Sequence, residues 1–369
     1  MKPSRSTALV VVTSVVLAAC TSDVPTGMQV FAKKAPSGAG SGTTVVMTGL
    51  NAPRGLAFGP EGALYVAEAG RSTLASSSCT PVPRAVSCFS GTGSISRLFK
   101  GEQRRIVSGL ASLYDGADFG GPSHIDFQGR GNGFVTIGLG APPEARASLG
   151  ARGAEFGTLV RFTPNGAWSV TADLSAAENA DPDQGGKDSN PYGVLAEPGV
   201  QYATDAGGNT LLKVVNGVVS VVAVFQRRAV PTGPWPPVPF AQAVPTEVRR
   251  GPDGALYVST LTGFPFVPGA ARIFRVVEGA APTVFIDGLT QVTDFAFGPD
   301  AALYATQYSA GPFFAGPGSV VKVTPAGVKS IVISGLTNPT GVIVGPDGAI
   351  YVSNRGNSEL VGEVLRVSP

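Results

Sequence analysis

From about residue 44 onward, apolar and polar positions alternate in short runs instead of recurring at helical spacing. Stretches such as Ser319-Val-Val-Lys322-Val and Lys329-Ser-Ile-Val-Ile-Ser are rich in β-branched residues and bounded by Gly, Pro and Asp. That is the signature of strands joined by tight turns, and no segment shows convincing helical periodicity. The pattern also repeats. Gly59-Pro-Glu-Gly-Ala-Leu-Tyr65-Val returns as Gly251-Pro-Asp-Gly-Ala-Leu-Tyr257-Val, Gly298-Pro-Asp-Ala-Ala-Leu-Tyr304-Ala and Gly345-Pro-Asp-Gly-Ala-Ile-Tyr351-Val, with weaker copies around Phe134 and Tyr202. Gly-Pro-Asp-Gly between extended runs is turn chemistry, so each copy predicts a hairpin tip.

A short strand precedes each tip, and a third and a fourth follow it. Six first, second and third strands can be counted, but only five fourth strands, because the chain stops at Pro369. The missing one is Thr44-Val-Val-Met-Thr-Gly49-Leu at the other end of the repeat region. A ring in which the N-terminal strand completes the last sheet removes the exposed edge that an open array would leave. The prediction is an all-β chain, a six-bladed β-propeller of four-stranded antiparallel blades spanning 43–369. The last repeats lie 47 residues apart (Glu247, Asp294, Gly341), a normal blade length. The basic residue that recurs in the third strands, such as Arg275 and Lys322, reads as a solvated outer-strand position.

Composition and charge narrow the function. The 50 glycines and 31 prolines among 369 residues approach the low-complexity range, but 43% hydrophobic content opposes disorder. Their periodic placement assigns them to turns. Lys2 and Arg5 precede a largely apolar run ending in Leu17-Ala18-Ala19-Cys20, the layout of a secretory signal too short to span a bilayer. The last four residues resemble a bacterial lipobox. That resemblance implies cleavage of 1–19, lipidation of Cys20, a flexible tether over 20–42 and a cell-envelope location, in the inner or the outer membrane. Loss of the leader removes two of 27 basic residues and leaves 25 against 25 acidic ones, so binding to nucleic acid loses its electrostatic basis. The remaining cysteines, Cys79 and Cys88, lie close together in one Pro/Ser-rich segment of an exported chain and are expected to form a disulfide. A monomer is expected.

Candidate chemistry follows from the blade rule. The first-to-second and third-to-fourth turns are tight, whereas every long insertion falls on the opposite face, and binding residues concentrate on such loops. Trp235, Phe264, Phe266, Phe313 and Phe314 lie in these insertions, where they would line an apolar pocket or cover the loops' own small cores. Inner strands open at the same face with Gly55, His124, Gly193, Glu247, Asp294 and Gly341, and second strands end there with Glu68, Asp205 and Asn354 among others. Such oxygens around one mouth suit Ca²⁺ or another divalent cation, with His124 as a base beside carboxylates, unless the channel is merely solvated. No Gly-x-Ser-x-Gly elbow, Walker loop or His-Glu-x-x-His occurs.

The stretch from Val244 to Val276, with Leu261-Thr-Gly-Phe-Pro-Phe266 at its centre, resembles the ScyD/ScyE family, related to NHL-repeat propellers. Gly49-Leu-Asn-Ala-Pro-Arg-Gly and Gly121-Pro-Ser-His-Ile-Asp-Phe agree with it. The resemblance implies a propeller over essentially all of 43–369. It carries over no catalytic residues, although the family is named for members in scytonemin pigment clusters. The sequence therefore points to an anchored propeller that binds a small molecule or protein on its loop-rich face, with the enzyme question leaning to no. The competing reading is a metal-dependent hydrolase or lactonase-like enzyme with its site at the channel mouth.

Overall fold

The computed structural model describes residues 42–72, 79–82, 85–129, 131–230 and 239–368. The leader, Cys20 and Trp235 lie outside them. Six four-stranded antiparallel sheets follow the predicted order. Their inner strands are Pro53–Phe58, Pro122–Gln128, Pro191–Glu197, Pro245–Arg250, Val292–Phe297 and Gly341–Val344. Each inner strand packs on the next and the last packs on the first, which makes a β-propeller. Four of them begin with proline, at a strand-initial position where the missing N–H costs no ladder bond. Thr43–Leu50 pairs with Gly362–Val367 and completes the last sheet, as the strand count requires. Among the described residues the helical turns are short 3₁₀ segments, all in insertions.

The repeat has a packing explanation. Each tip aromatic sits directly opposite the third-strand basic residue: Tyr65 and Arg97, Phe134 and Arg161, Tyr202 and Lys213, Tyr257 and Arg275, Tyr304 and Lys322, Tyr351 and Arg366. That basic group is not simply solvated. It reaches back to the acid of the tip, with Arg275 Nε 2.6 Å from Asp253, Lys322 Nζ 2.9 Å from Asp300 and Arg366 Nε 2.8 Å from Asp347. The first glycine of the motif is needed because the ring lies on it: a Cβ at Gly251 would stand 2.1 Å from Tyr257 Cε2. The second glycine supplies the left-handed turn residue, at φ 80°, 79° and 73° for Gly62, Gly254 and Gly348.

Hydroxyl groups join successive blades. Thr204 donates to the Thr246 carbonyl (3.1 Å), Thr246 to that of Val292 (2.9 Å) and Thr293 to that of Pro339 (3.0 Å). At the seam where the ring closes, Thr340 and Ser353 donate to the carbonyls of Pro53 and Arg54, both at 2.6 Å. Backbone groups at the strand starts are thereby satisfied without water.

Candidate functional site

The insertions build the loop-rich face. Cys79–Val82, Ala85–Phe89, Leu113–Tyr114 and Phe119–Gly120 form a small separate sheet, stapled by the Cys79–Cys88 disulfide. Arg54 ties this sheet to the ring: its Nη2 donates to Asp118 Oδ1 at 2.8 Å and to the Phe119 carbonyl at 2.9 Å. The guanidinium is almost fully buried, and although burial works against its charge, Asp118 foremost among its neighbours holds the pKa above the ordinary value.

The structure separates the predicted channel residues into two groups. His124, Glu247 and Asp294 do converge, each with no exposed surface. His124 Nε2 stands 3.0 Å from Glu247 Oε2 and 3.3 Å from Asp294 Oδ2. They lie beneath the mouth rather than on it. The imidazole crosses the ring over Gly55, where a Cβ would be 2.1 Å from His124 Cδ2. Burial disfavours the imidazolium, yet Glu247 and Asp294 together keep its pKa above 6.5. Burial first, with Asp294 adding, pushes Glu247 up to about 7 against the pull of His124 and Arg249.

Arg249, absent from the sequence reading, completes this plug. Its Nη2 lies 3.4 Å from Asp294 Oδ1 and 3.2 Å from His124 Nε2, and its Nε lies 3.7 Å from Glu247 Oε1. Nε2 faces both carboxylates but of the two hydrogen-bonds only Asp294 Oδ2, neither Glu247 oxygen having a hydrogen-bond partner among the described residues, and Arg249 is its charged neighbour rather than its donor. Arg249 follows Glu247 by two residues and so points to the same side of the strand. That period was the available signal. Asp126 follows His124 in the same way and is half-buried, its pKa raised by desolvation against the pull of Arg249.

Glu68, Asp205 and Asn354 turn away from the channel. Each accepts a backbone N–H from the loop that leads into its own blade: Asn51 to Glu68 Oε2 (2.7 Å), Asn190 to Asp205 Oδ1 (2.6 Å) and Thr337 to Asn354 Oδ1 (2.8 Å). Glu68 is also paired with Arg105 and Asn354 with Glu363. These residues clamp loops, which is why polar groups recur at the ends of the second strands.

The mouth is lined instead by residues one position earlier. Inner strands carry bulges at their entry, for example between Pro53 and Leu56 and between Pro245 and Glu247. This brings Arg54, Tyr192, Thr246 and Thr293 to a cavity of about 350 Å³, with Asn190, Tyr308, Phe266 and Phe314 around them. Burial raises the Tyr192 hydroxyl pKa to about 12, so it remains a donor. Of the predicted aromatics, Phe266 and Phe314 line this cavity, with Phe264 and Phe313 packed beside them. Phe266 stacks on Phe314 at 4.0 Å, Phe314 meets Tyr308 edge-on at 5.1 Å, and Phe264 lies 5.6 Å from Phe313. Phe264, Phe313 and Phe314 remain 48%, 49% and 40% exposed, so they do not simply cover a core. Phe266, Phe313 and Phe314 also hold φ of 60°, 54° and 58°, a conformation that L residues adopt at a cost of about 1–3 kcal/mol each and that collects at functional sites.

Neither a protein-family model nor a curated protein sequence matches the chain. Solved structures do. A glucose dehydrogenase superposes with a TM-score of 0.50 at 14% identity, covering 89% of this chain and 99% of that one. A protein of unknown function from Bacteroides thetaiotaomicron gives 0.54 at 8% identity, over 89% and 75%. A streptogramin B lyase gives 0.48 at 11%, over 89% and 98%. At these identities the likeness is one of fold alone, and the neighbours are β-propellers.

Proposed function

We propose that this chain is a lipid-anchored, extracytoplasmic β-propeller of the ScyD/ScyE kind that binds a flat apolar ligand bearing an acceptor or anionic group, without chemical conversion. The observation that carries this reading is the mouth cavity, where half-buried Phe266 stacked on exposed Phe314 and the buried cation Arg54 line one space. Ring faces reward a planar ligand by about 0.5–1.5 kcal/mol per stacked pair beyond area burial. Arg54, already oriented by Asp118 and the Phe119 carbonyl, offers a fixed positive charge, which lowers the ordering cost of recognition. His124 supports binding over catalysis because it is sealed below the cavity among its own partners, out of reach of a proton on a ligand.

Anilinonaphthalene sulfonate, a fused aromatic with an anionic group, is a suitable probe. The purified chain should bind it saturably at one site, and Phe266→Ala with Phe314→Ala should weaken binding at least ~10-fold, the factor that ~1.4 kcal/mol represents. Binding that is unchanged in this variant overturns the site. The metal-dependent reading requires a cation at His124, Glu247 and Asp294, the place where the Arg249 guanidinium already lies. Elemental analysis that finds a stoichiometric metal lost on Glu247→Gln with Asp294→Asn would favour that reading instead. A Cys20→Ser chain that stays membrane-bound would remove the anchor.

A further inference from the structure

A second carboxylate cluster lies in the insertion after Thr158–Phe162 and Trp168–Asp173, the third and fourth strands of the second blade. Glu178 ends its side chain in a 3₁₀ turn, Leu174–Ala180, and Asp181 and Asp183 follow in the loop. One oxygen from each of the three lies within 4.8 Å of the others. Glu178 has no exposed surface, and neither of its carboxylate oxygens has a hydrogen-bond partner. The carboxylate is pressed against Gly208, where a Cβ would stand 2.1 Å from Oε1. Asp205, itself buried, adds a further negative charge nearby. Among the described residues, no Lys or Arg forms an ion pair with Glu178, Asp181, Asp183 or Asp205.

A buried carboxylate without a donor is costly, and three more acids beside it raise the cost. Burial, followed by Asp205, Asp183 and Asp181, pushes the Glu178 pKa up to about 8. The arrangement lacks a positive charge. We propose that Glu178, Asp181 and Asp183 form a Ca²⁺ site, in which the ion takes the two unpartnered Glu178 oxygens and one oxygen from each aspartate. Hard carboxylate oxygens at short sequence spacing are the donor set that Ca²⁺ prefers, with water completing six to eight ligands. The site is separate from the His124 plug and does not depend on the ligand assigned to the mouth. It would tie the 174–186 insertion to the Asp205–Asn209 loop, whose Asp205 also holds the Asn190 backbone on the cavity wall.

The test is calorimetric titration of Ca²⁺ into the chelator-treated full chain, alongside thermal melts with and without Ca²⁺. One ion per chain should bind in the ~10⁻⁵–10⁻³ M range of sensor and extracellular sites, and Ca²⁺ should raise Tm. Glu178→Gln should weaken binding ~10-fold or more. Because that side chain is buried, Asp181→Asn with Asp183→Asn serves as the second variant: it should melt like the parent chain in chelator and lose the Ca²⁺ response. Phe266→Ala with Phe314→Ala should leave the titration unchanged. No heat and no Tm shift up to ~10 mM Ca²⁺, well above the weakest such sites, overturns the proposal. So does undiminished binding in the aspartate pair, which would locate the ion elsewhere. A Glu178→Gln chain that is as stable as the parent and equally indifferent to Ca²⁺ would show Glu178 to be a buried neutral acid.

Discussion

His124→Ala tests whether the sealed cluster is a structural plug or concealed machinery. The substitution removes the group that stands 3.0 Å from Glu247 and 3.3 Å from Asp294, leaving two fully buried carboxylates against Arg249 alone. Removing one partner of a buried ion pair costs about 3–5 kcal/mol, a large share of a typical total of about 5–15 kcal/mol. With a urea slope near ~3 kcal/mol/M, the unfolding midpoint should fall by about 1–2 M. Glu247→Gln should also destabilise, and the double variant should cost less than the two single losses together by about 0.5–3 kcal/mol, because the residues touch. The dye affinity of the mouth should not change.

The pH profile adds a signed check. His124 and Glu247 both have folded-state pKa values raised, the first above 6.5 and the second to about 7 from 4.5. A raised value means that the folded state holds its proton more tightly, so the stabilisation is complete below the unfolded pKa values and is lost as pH rises through the folded ones. For Glu247 alone the shift corresponds to an order of about 3 kcal/mol. Parent stability should therefore decline from about pH 5 to beyond pH 7, and His124→Ala should change that slope. A cost below about 1 kcal/mol, strict additivity with Glu247→Gln, or loss of dye binding at unchanged stability would refute the plug.

Three further outcomes probe the repeat. Ala301 occupies the turn position that Gly62, Gly254 and Gly348 fill, at φ 57°; Ala301→Gly should stabilise by about 0.5–1 kcal/mol in urea unfolding, since αL costs an L residue about 1–2 kcal/mol and glycine's extra entropy returns part of it. Gly251→Ala places a Cβ 2.1 Å from the Tyr257 ring and should cost about 1–3 kcal/mol, with Tyr257→Leu in the same chain restoring part of the loss. Thr340→Val with Ser353→Ala leaves the Pro53 and Arg54 carbonyls at the closing seam without their donors; a loss of about 2–4 kcal/mol is expected, and hydrogen exchange should rise first in Thr43–Leu50 and Gly362–Val367.

The architecture was legible because it repeats. The Gly-Pro-Asp-Gly tips, the aromatic three residues on and the missing fourth strand together gave the ring and its closure, since each is a local signal seen several times. Convergence of His124, Glu247 and Asp294 was legible for the same reason, as aligned first residues of inner strands. Their depth was not, because it depends on the entry bulges, which shift the mouth to Arg54, Tyr192, Thr246 and Thr293 and which no residue type announces. The polar ends of the second strands were misplaced by the same logic. Glu68, Asp205 and Asn354 share a position, but the bond each makes is to a backbone N–H some fifteen or more residues back, a relation that alignment of repeats does not display. Arg54 and Tyr308 lay outside the motif altogether, and the cavity depends on both.

Specific chemistry appears where the ring departs from its own repeat. At the level of the plug, Gly55, Gly193 and Gly341 share the ring with His124, Glu247 and Asp294, and the space above Gly55 is filled by the ring of His124. A Cβ at Gly193 or Gly341 would meet the backbone of the neighbouring inner strand at 2.6 Å, so these glycines let adjacent strands close up while their neighbours reach across. Arg249 at the next level balances the carboxylates, so two acids are matched by one fixed cation and one proton-dependent one. A channel closed in this way cannot pass a ligand from one face to the other. On the proposed reading, recognition is confined to the mouth, where the ring departs from its repeat in the aromatic insertions of two neighbouring blades, the Arg54 cation and the acidic loop beside Asp205.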